Sequence, residues 1–490
     1  MVSQIVVLSW PIVVFWLFAK RQPAIALSWA ILGGYMLLPR NFSIDLPAVP
    51  TLSKGSITAL AALAAAAILI KGPRLQAMAP NMVLPGLAPR NRAVRILLVL
   101  LAMGVIGTVM TNGDTLRYAA RTLPPMRPYD AAALLGNMLF TLLPYLMARK
   151  YLAHPDAQRM LLVTLVLAVL LYSLPTLYEA RMSPQLSRMI YGYFPHSWIQ
   201  HMRGGGYRPV VFLWHGLWLA ILICGAFLGA MALWRSGEGK FRLRWMLAAG
   251  WLFITLVASK GVGALGIGLF LGALIVFLPI RLQVLVAGVL AGTVLIYPML
   301  RGAGMIPTDR FISIAQSVDN DRAASLNFRL QNEDILLAKA NERPLFGWGT
   351  WSRNRVYDEQ GRDISTTDGY WIIAIGSAGW VGYIAQFGLL TIPLILLALR
   401  WKSLAITPAT AGIGFALTAN LIDLIPNGTL TPVTWLLAGA LAGRLELGRV
   451  SEGAAAEAAS LPPRRNAYSR QRRLHPAHDP IPVSMRRTQP

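Results

Sequence analysis

Residues 371–398, WIIAIGSAGWVGYIAQFGLLTIPLILLA, run for twenty-eight positions without a charge. A helix needs roughly 20 mostly apolar residues to cross the ~30 Å hydrocarbon core of a bilayer, so this stretch reads as a span. The same pattern recurs outward in both directions. We read thirteen such runs, at 5–19, 24–38, 56–70, 95–110, 130–148, 160–178, 209–234, 245–259, 263–279, 282–299, 371–398, 408–424 and 431–447. Composition agrees: 55% of the 490 residues are apolar, 13% are charged and mean hydropathy is +0.52. An ordinary soluble protein is about 25% charged. One soluble core could not hide so many apolar runs. The expectation is an all-α polytopic integral membrane protein with about 12–13 transmembrane helices.

The N-terminus carries no charged stretch ahead of its first apolar run, so that run reads as a retained span rather than a cleaved signal. The single cysteine, Cys224, excludes an intramolecular disulfide. The net charge of +24 sits largely in short loops and in the tail, which is the pattern of topology signalling rather than of nucleic-acid binding. The chain divides into N-terminal transmembrane helices over 1–200, a transmembrane region over 201–450 with a long loop at 301–370, and a basic tail over 451–490.

Orientation follows from the loops. Lys71, Arg74, Arg90, Arg92 and Arg95 lie together with no acid among them, which marks a cytoplasmic loop. Alternation then places Arg149/Lys150, Arg235 to Arg244, Arg281, Arg400/Lys402 and the tail on the same side. The tail, rich in Arg, Pro and Ala, reads as a disordered cytoplasmic extension that can touch anionic lipid. The opposite face carries two substantial loops, at 179–208 and 301–370. The second has nine basic and ten acidic residues, as expected of a translocated segment, and a long ordered loop is usually functional. Basic residues on that face, including Arg117, Arg121, Arg127, Arg181, Arg188, Arg203 and Arg208, run against the topology signal. As a cluster they favour an anionic ligand such as a lipid-linked phosphate.

Four constellations on that face carry chemistry. The first is Gly204-Gly205-Gly206-Tyr207-Arg208-Pro209, with His215 expected about two helical turns inside the following span. An ionisable residue in a span is a functional candidate, although a bond to a neighbouring helix would also account for it. The second is Ser259-Lys260-Gly261, a turn with one cation, for which snorkelling to water is the ordinary explanation. The third is a helix over 327–340 in which Arg329 and Glu333 share a face. The fourth is Thr367-Asp368-Gly369-Tyr370 at the mouth of the 371–398 span, followed by Gly376, Gly379 and Gly382 as a small face for close helix approach. Asp368 suits helix capping, and equally a base aimed at an outer-face ligand.

At these residues the sequence resembles the O-antigen ligase and polymerase superfamily of bacterial envelope enzymes. Arg329 is followed by Pro344-Leu-Phe-Gly347-Trp-Gly349, like the Arg-bearing helix and P-x-x-G-x-G turn of that family. Asp368-Gly369, nine residues, then Gly379-Trp-Val-Gly382-Tyr383 repeats a family spacing, with Asp368 where the family has histidine. Ser259-Lys260-Gly261 stands where a Ser-Arg-Gly turn is common. The resemblance covers 204–398 and implies a metal-independent glycosyltransferase with a GT-C-like fold and no cofactor, in a bacterial inner (cytoplasmic) membrane. The 301–370 loop would be periplasmic. The donor would be a glycan on undecaprenyl pyrophosphate, and the acceptor lipid A–core, another repeat unit or a protein. Catalytic roles would fall to Asp368, Arg329 and Lys260, and pyrophosphate binding to Arg208, His215 and Arg203. Independently, a diphosphate leaving group needs cations and an acceptor hydroxyl needs a base, which these residue types supply. The sequence shows no His/Cys/carboxylate set at metal-ligand spacing. Rival readings are a transporter or flippase, and a non-catalytic envelope scaffold. The first would favour internal repeats and charges near the midplane; the second predicts that the outer arginines and Asp368 are replaceable.

Overall fold

The structure, a computed structural model, describes residues 2–45, 50–71, 82–119, 121–203, 205–237, 239–318 and 320–448, without the side chains of residues 203, 311, 314, 315, 318, 321 and 322. The basic tail and the part of the 71–95 loop that holds Arg74 lie outside the described residues.

Every one of the thirteen apolar runs contains a helix. Among the described residues eight are long and apolar enough to cross a membrane: Val2–Lys20, Arg92–Thr111, Pro128–Tyr151, Pro155–Met182, Gly216–Ser236, Gly239–Ala258, Ile280–Gly302 and Tyr370–Leu399. The other five, Pro23–Leu37, Lys54–Leu69, Val262–Phe277, Pro408–Asp423 and Pro432–Leu447, have 15 or 16 residues. Five helices begin with proline at or near the first position, where a missing N–H costs nothing because that group has no partner within the helix. Thr407 and Thr431 also cap two of these helices, and Asn91 caps Arg92–Thr111, by accepting from backbone N–H groups one turn on.

Pro408–Asp423 and Pro432–Leu447 are buried along almost their whole length and form the centre of the bundle. Gly439 and Gly443 bring the second of these against the backbone of Tyr145 and Arg149; a side chain at either glycine would strike those carbonyls. At this end of the bundle Arg149, wholly buried, donates through Nε to Glu446 at 2.9 Å and through Nη1 to the Gly86 carbonyl at 2.9 Å. The other oxygen of Glu446 accepts from the backbone N–H groups of Arg90 and Asn91, at 2.9 and 3.1 Å. One ion pair thereby ties two helix ends to the 82–91 segment.

Two expectations need correction, at His215 and at Gly379. Alongside the helices, two-stranded ribbons pair Ser43–Ile44 with Leu52–Ser53, Leu116–Tyr118 with Arg121–Leu123, and Met202–Arg203 with Gly206–Tyr207. These are turn closures between helices, too short to form a layer. The run at 209–234 is helical only from Gly216, so His215 caps the helix rather than lying two turns inside it. Its Nδ1 accepts from Leu217 N–H at 3.1 Å. Finally, Gly379 is not part of a smooth small-residue face. Its φ of 65° and ψ of −172° break the Tyr370–Leu399 helix in a region open essentially to glycine alone. The 344–349 turn packs into this break. Trp348 and Gly349 N–H donate to the carbonyls of Gly376 and Ser377, while Trp380 and Val381 N–H donate to those of Pro344 and Leu345. A side chain at Gly379 would collide with the Leu345 carbonyl.

Candidate functional site

The 301–370 segment contains two helices, Thr308–Val318 and Asn320–Asn341, and the second is longer than the sequence pattern indicates. Its far part is pinned by a buried arginine. Arg353 donates to the Asp114 carboxylate at 3.0 Å and to the carbonyls of Asp114, Pro124 and Trp348 at 2.9, 2.9 and 3.1 Å. Arg343 holds the same carboxylate at 2.8 Å. The Arg343 hydrogen bonds hold Asp114 below the usual carboxylate range, with Arg343 and Arg353 charges adding to the effect and burial opposing it.

This anchoring fixes the helix that carries Arg329. Arg329 Nε lies 3.4 Å from Asp368 Oδ2, and both side chains are about a third exposed. Asp368 is set by its neighbours: Thr366 N–H donates to Asn332 Oδ1 at 2.7 Å, and Tyr370 N–H donates to the Leu424 carbonyl at 2.9 Å. Two further carboxyls crowd this point, neither of which the sequence reading selected for the site. Asp423 is buried, accepts from Asn427 and Thr429 at 2.8 and 2.7 Å, and feels the Arg329 charge. Glu333, one helical turn after Arg329, pairs with Arg301 at 3.8 Å and accepts from the Trp371 indole at 3.4 Å. Burial pushes the Glu333 carboxyl up to about 7; Trp371 and Arg301 pull it down, and Asp334 and Asp368 raise it further. The Arg329–Glu333 spacing was visible in the sequence; the burial that distinguishes Glu333 was not.

The glycine-rich turn and the Lys260 turn meet. Arg208 Nη2 donates to the Lys260 carbonyl at 3.3 Å, and the Lys260 ammonium sits against Gly206. Lys260 itself has φ +54°, a left-handed conformation that a side chain rarely adopts. Glu179 organises the segment from below. It is fully buried and accepts from the N–H groups of Leu186, Val210 and Val211 at 2.8, 2.9 and 2.7 Å. A histidine cluster that the sequence reading missed surrounds His215, with the ring centres of His196 and His201 at 4.9 and 4.8 Å. Only folding could reveal it, because His196 and His201 lie in the 179–208 loop with no pattern in the sequence that joins them to His215. Among the described residues no group of three or more His, Cys, Asp or Glu is arranged to hold a metal ion. The Arg203 side chain lies outside the described residues.

The structure thus brings Arg208 to Lys260 and Arg329 to Asp368, as two separate groups. In the centre of the bundle Trp218, one turn after His215, lines a small cavity with Asn420, Thr431 and Thr434, and the 424–431 turn comes close to Asp368 at Gly428. The chain is an all-α multi-pass membrane protein by its helices. No family model matches it, and no curated protein does.

Proposed function

We propose that the protein is a membrane glycosyltransferase of the O-antigen ligase/polymerase type. It has a GT-C-like bundle of about thirteen spans in a bacterial inner membrane, with the 301–370 segment on the periplasmic side. It transfers a glycan from undecaprenyl pyrophosphate to a saccharide, lipid or protein acceptor and makes no use of nucleic acid. One observation carries the reading: Arg329 and Asp368, thirty-nine residues apart, meet at 3.4 Å in an accessible position beside buried carboxyls. In the reaction, the acceptor oxygen forms a bond to the anomeric carbon as the bond from that carbon to the diphosphate oxygen breaks. Asp368 takes the hydroxyl proton, and Arg329 orients its carboxylate. Arg208 and Lys260, with His215 and Arg203 beside them in the chain, bind the diphosphate, which leaves with the bonding electrons.

The test is single alanine substitution of Arg208, Lys260, Arg329 and Asp368, each reconstituted at equal folded amount with a polyprenyl-diphosphate-linked glycan. Lost product with donor left intact supports transfer. Wild-type product from all four removes the assignment. The break at Gly379 favours a second reading, a transporter or flippase, because discontinuous helices commonly line transport sites. In that case the same variants stop movement of donor across the vesicle membrane, and the wild type makes no product.

A further inference from the structure

Beside the proposed site, on the other flank of the 424–431 turn, lies a separate cavity of about 390 Å³. That volume falls in the lower part of the ~300–1,000 Å³ range of small-molecule sites. Its lining includes Tyr35, Arg40, Lys54, Thr58, Trp214 and Trp218. These come from three separate parts of the chain, and none belongs to the residues assigned to transfer above.

The charge is one-sided. Arg40 stacks on Trp214, its guanidinium carbon 4.0 Å from the ring centre. Lys54 donates to the carbonyls of Tyr35 and Leu38, both at 2.9 Å, which leaves a third ammonium N–H. Among the described residues neither cation has a carboxylate within ion-pair distance. Asp45, which follows the first strand of the ribbon leading to Lys54, accepts from Thr51 and does not line the cavity. The N-terminal residues of two helices, at 53–55 and 431–432, also line it, and helix N-termini favour anions.

Two buried hydroxyls, Tyr35 Oη and Thr58 Oγ1, have no hydrogen-bond partner, and their residues are 8% and 3% exposed. A buried hydroxyl without a partner costs about 1–3 kcal/mol, so such groups are normally satisfied by something. Two indoles add apolar walls. Two cations, idle hydroxyls and aromatic faces together match one chemistry: an oxyanion attached to a ring that offers hydroxyls on its edge and C–H groups on its face.

We propose that this cavity is a binding site for an anionic saccharide, its phosphate or carboxylate held by Arg40 and Lys54 and its ring laid against Trp214 and Trp218. The site stands on its own geometry, but its saccharide ligand deepens the transferase reading: it would seat a charged sugar of the acceptor or of the growing glycan. Binding is independent of turnover, so the two ideas fail separately.

The experiment is calorimetric titration of the purified full chain in detergent micelles with glucose 6-phosphate, glucuronate, glucose and inorganic phosphate. At least one of the two charged sugars is expected to bind tenfold or more tightly than both glucose and inorganic phosphate. Whichever binds identifies the oxyanion. Arg40→Ala and Trp214→Ala should each weaken that binding tenfold or more, and Asp368→Ala should leave it unchanged. Arg40 is exposed, so its variant tests the site even where Lys54→Ala disturbs folding. Equal binding of inorganic phosphate removes the ring from the site and overturns the proposal. So does absence of binding by both charged sugars, or binding that Arg40→Ala leaves intact.

Discussion

Two arginine–carboxylate pairs stand at opposite ends of the Pro432–Leu447 helix, and they differ in nearly every physical respect. Arg149 and Glu446 have side chains 0% and 3% exposed, and the second carboxylate oxygen is filled by two backbone N–H groups. Arg329 and Asp368 are 38% and 35% exposed, with a longer separation of 3.4 Å. The first pair has no capacity left for a ligand; the second has. A buried pair whose every lone pair is used fixes geometry, because loss of one partner leaves a stranded charge. A half-open pair adds little to stability and keeps oxygens available for chemistry. The same residue types in the same pairing thus divide, by how completely they are satisfied, into a closed brace and a pair with capacity left for a ligand.

That contrast can be broken most decisively at Asp368. Asp368→Asn should lower glycan transfer about 10²–10⁴-fold, the usual contribution of a general base, with the thermal midpoint nearly unchanged. A large loss of folded protein instead would make Asp368 a brace. The reverse holds for Arg149→Ala, expected to reduce unfolding free energy by about 3–5 kcal/mol while turnover per folded molecule persists. Replacing Arg149 and Glu446 together by Met and Leu should recover much of that loss, measured by the same denaturation curve.

Glu333 sharpens the comparison because it is buried like Glu446 but poorly satisfied. A carboxyl whose pKa rises from 4.5 unfolded to about 7 folded binds more protons in the folded state. The contribution of Glu333 to stability should therefore be full below pH 4.5 and be lost as pH rises through 7, by up to about 3 kcal/mol in total. Arg301, Asp334, Asp368 and Trp371 face this group. Glu333→Gln should flatten the stability profile across that window; an unchanged slope would show that other groups set it. The smallest effect belongs to Glu342, which is 55% exposed and pairs with Lys339 at 2.8 Å. Glu342→Ala should cost below about 1 kcal/mol, a baseline for what a surface pair contributes.

The helices were legible in the sequence because lipid demands long apolar runs, and a helix appears at each of the thirteen positions read. The meeting of Arg329 with Asp368 was anticipated only as two residues on one face of the membrane. What stayed hidden has physical reasons. Glycines three apart, as at Gly379 and Gly382, suit both a close helix contact and a left-handed break, and only the inserted 344–349 turn decides between them. His215 sits beside an apolar run that looks helical although Glu179 holds its backbone in a turn, with Val211 at φ +56°. Asp423 and Glu333 look like ordinary polar punctuation until packing buries them. Arg40 and Lys54 resemble the flanking charges of any span, so the cavity they line had no signature in one dimension.

The seam at Gly379 has a mechanical consequence. Four backbone hydrogen bonds join the 344–349 turn to both sides of the broken helix, in the manner of a short sheet. The extramembrane segment therefore cannot swing away as a lid on a loose hinge. In the proposed transferase, an opening that admits a bulky lipid-borne chain would have to carry one half of that helix with it, or the chain would enter sideways between helices while the seam stays shut.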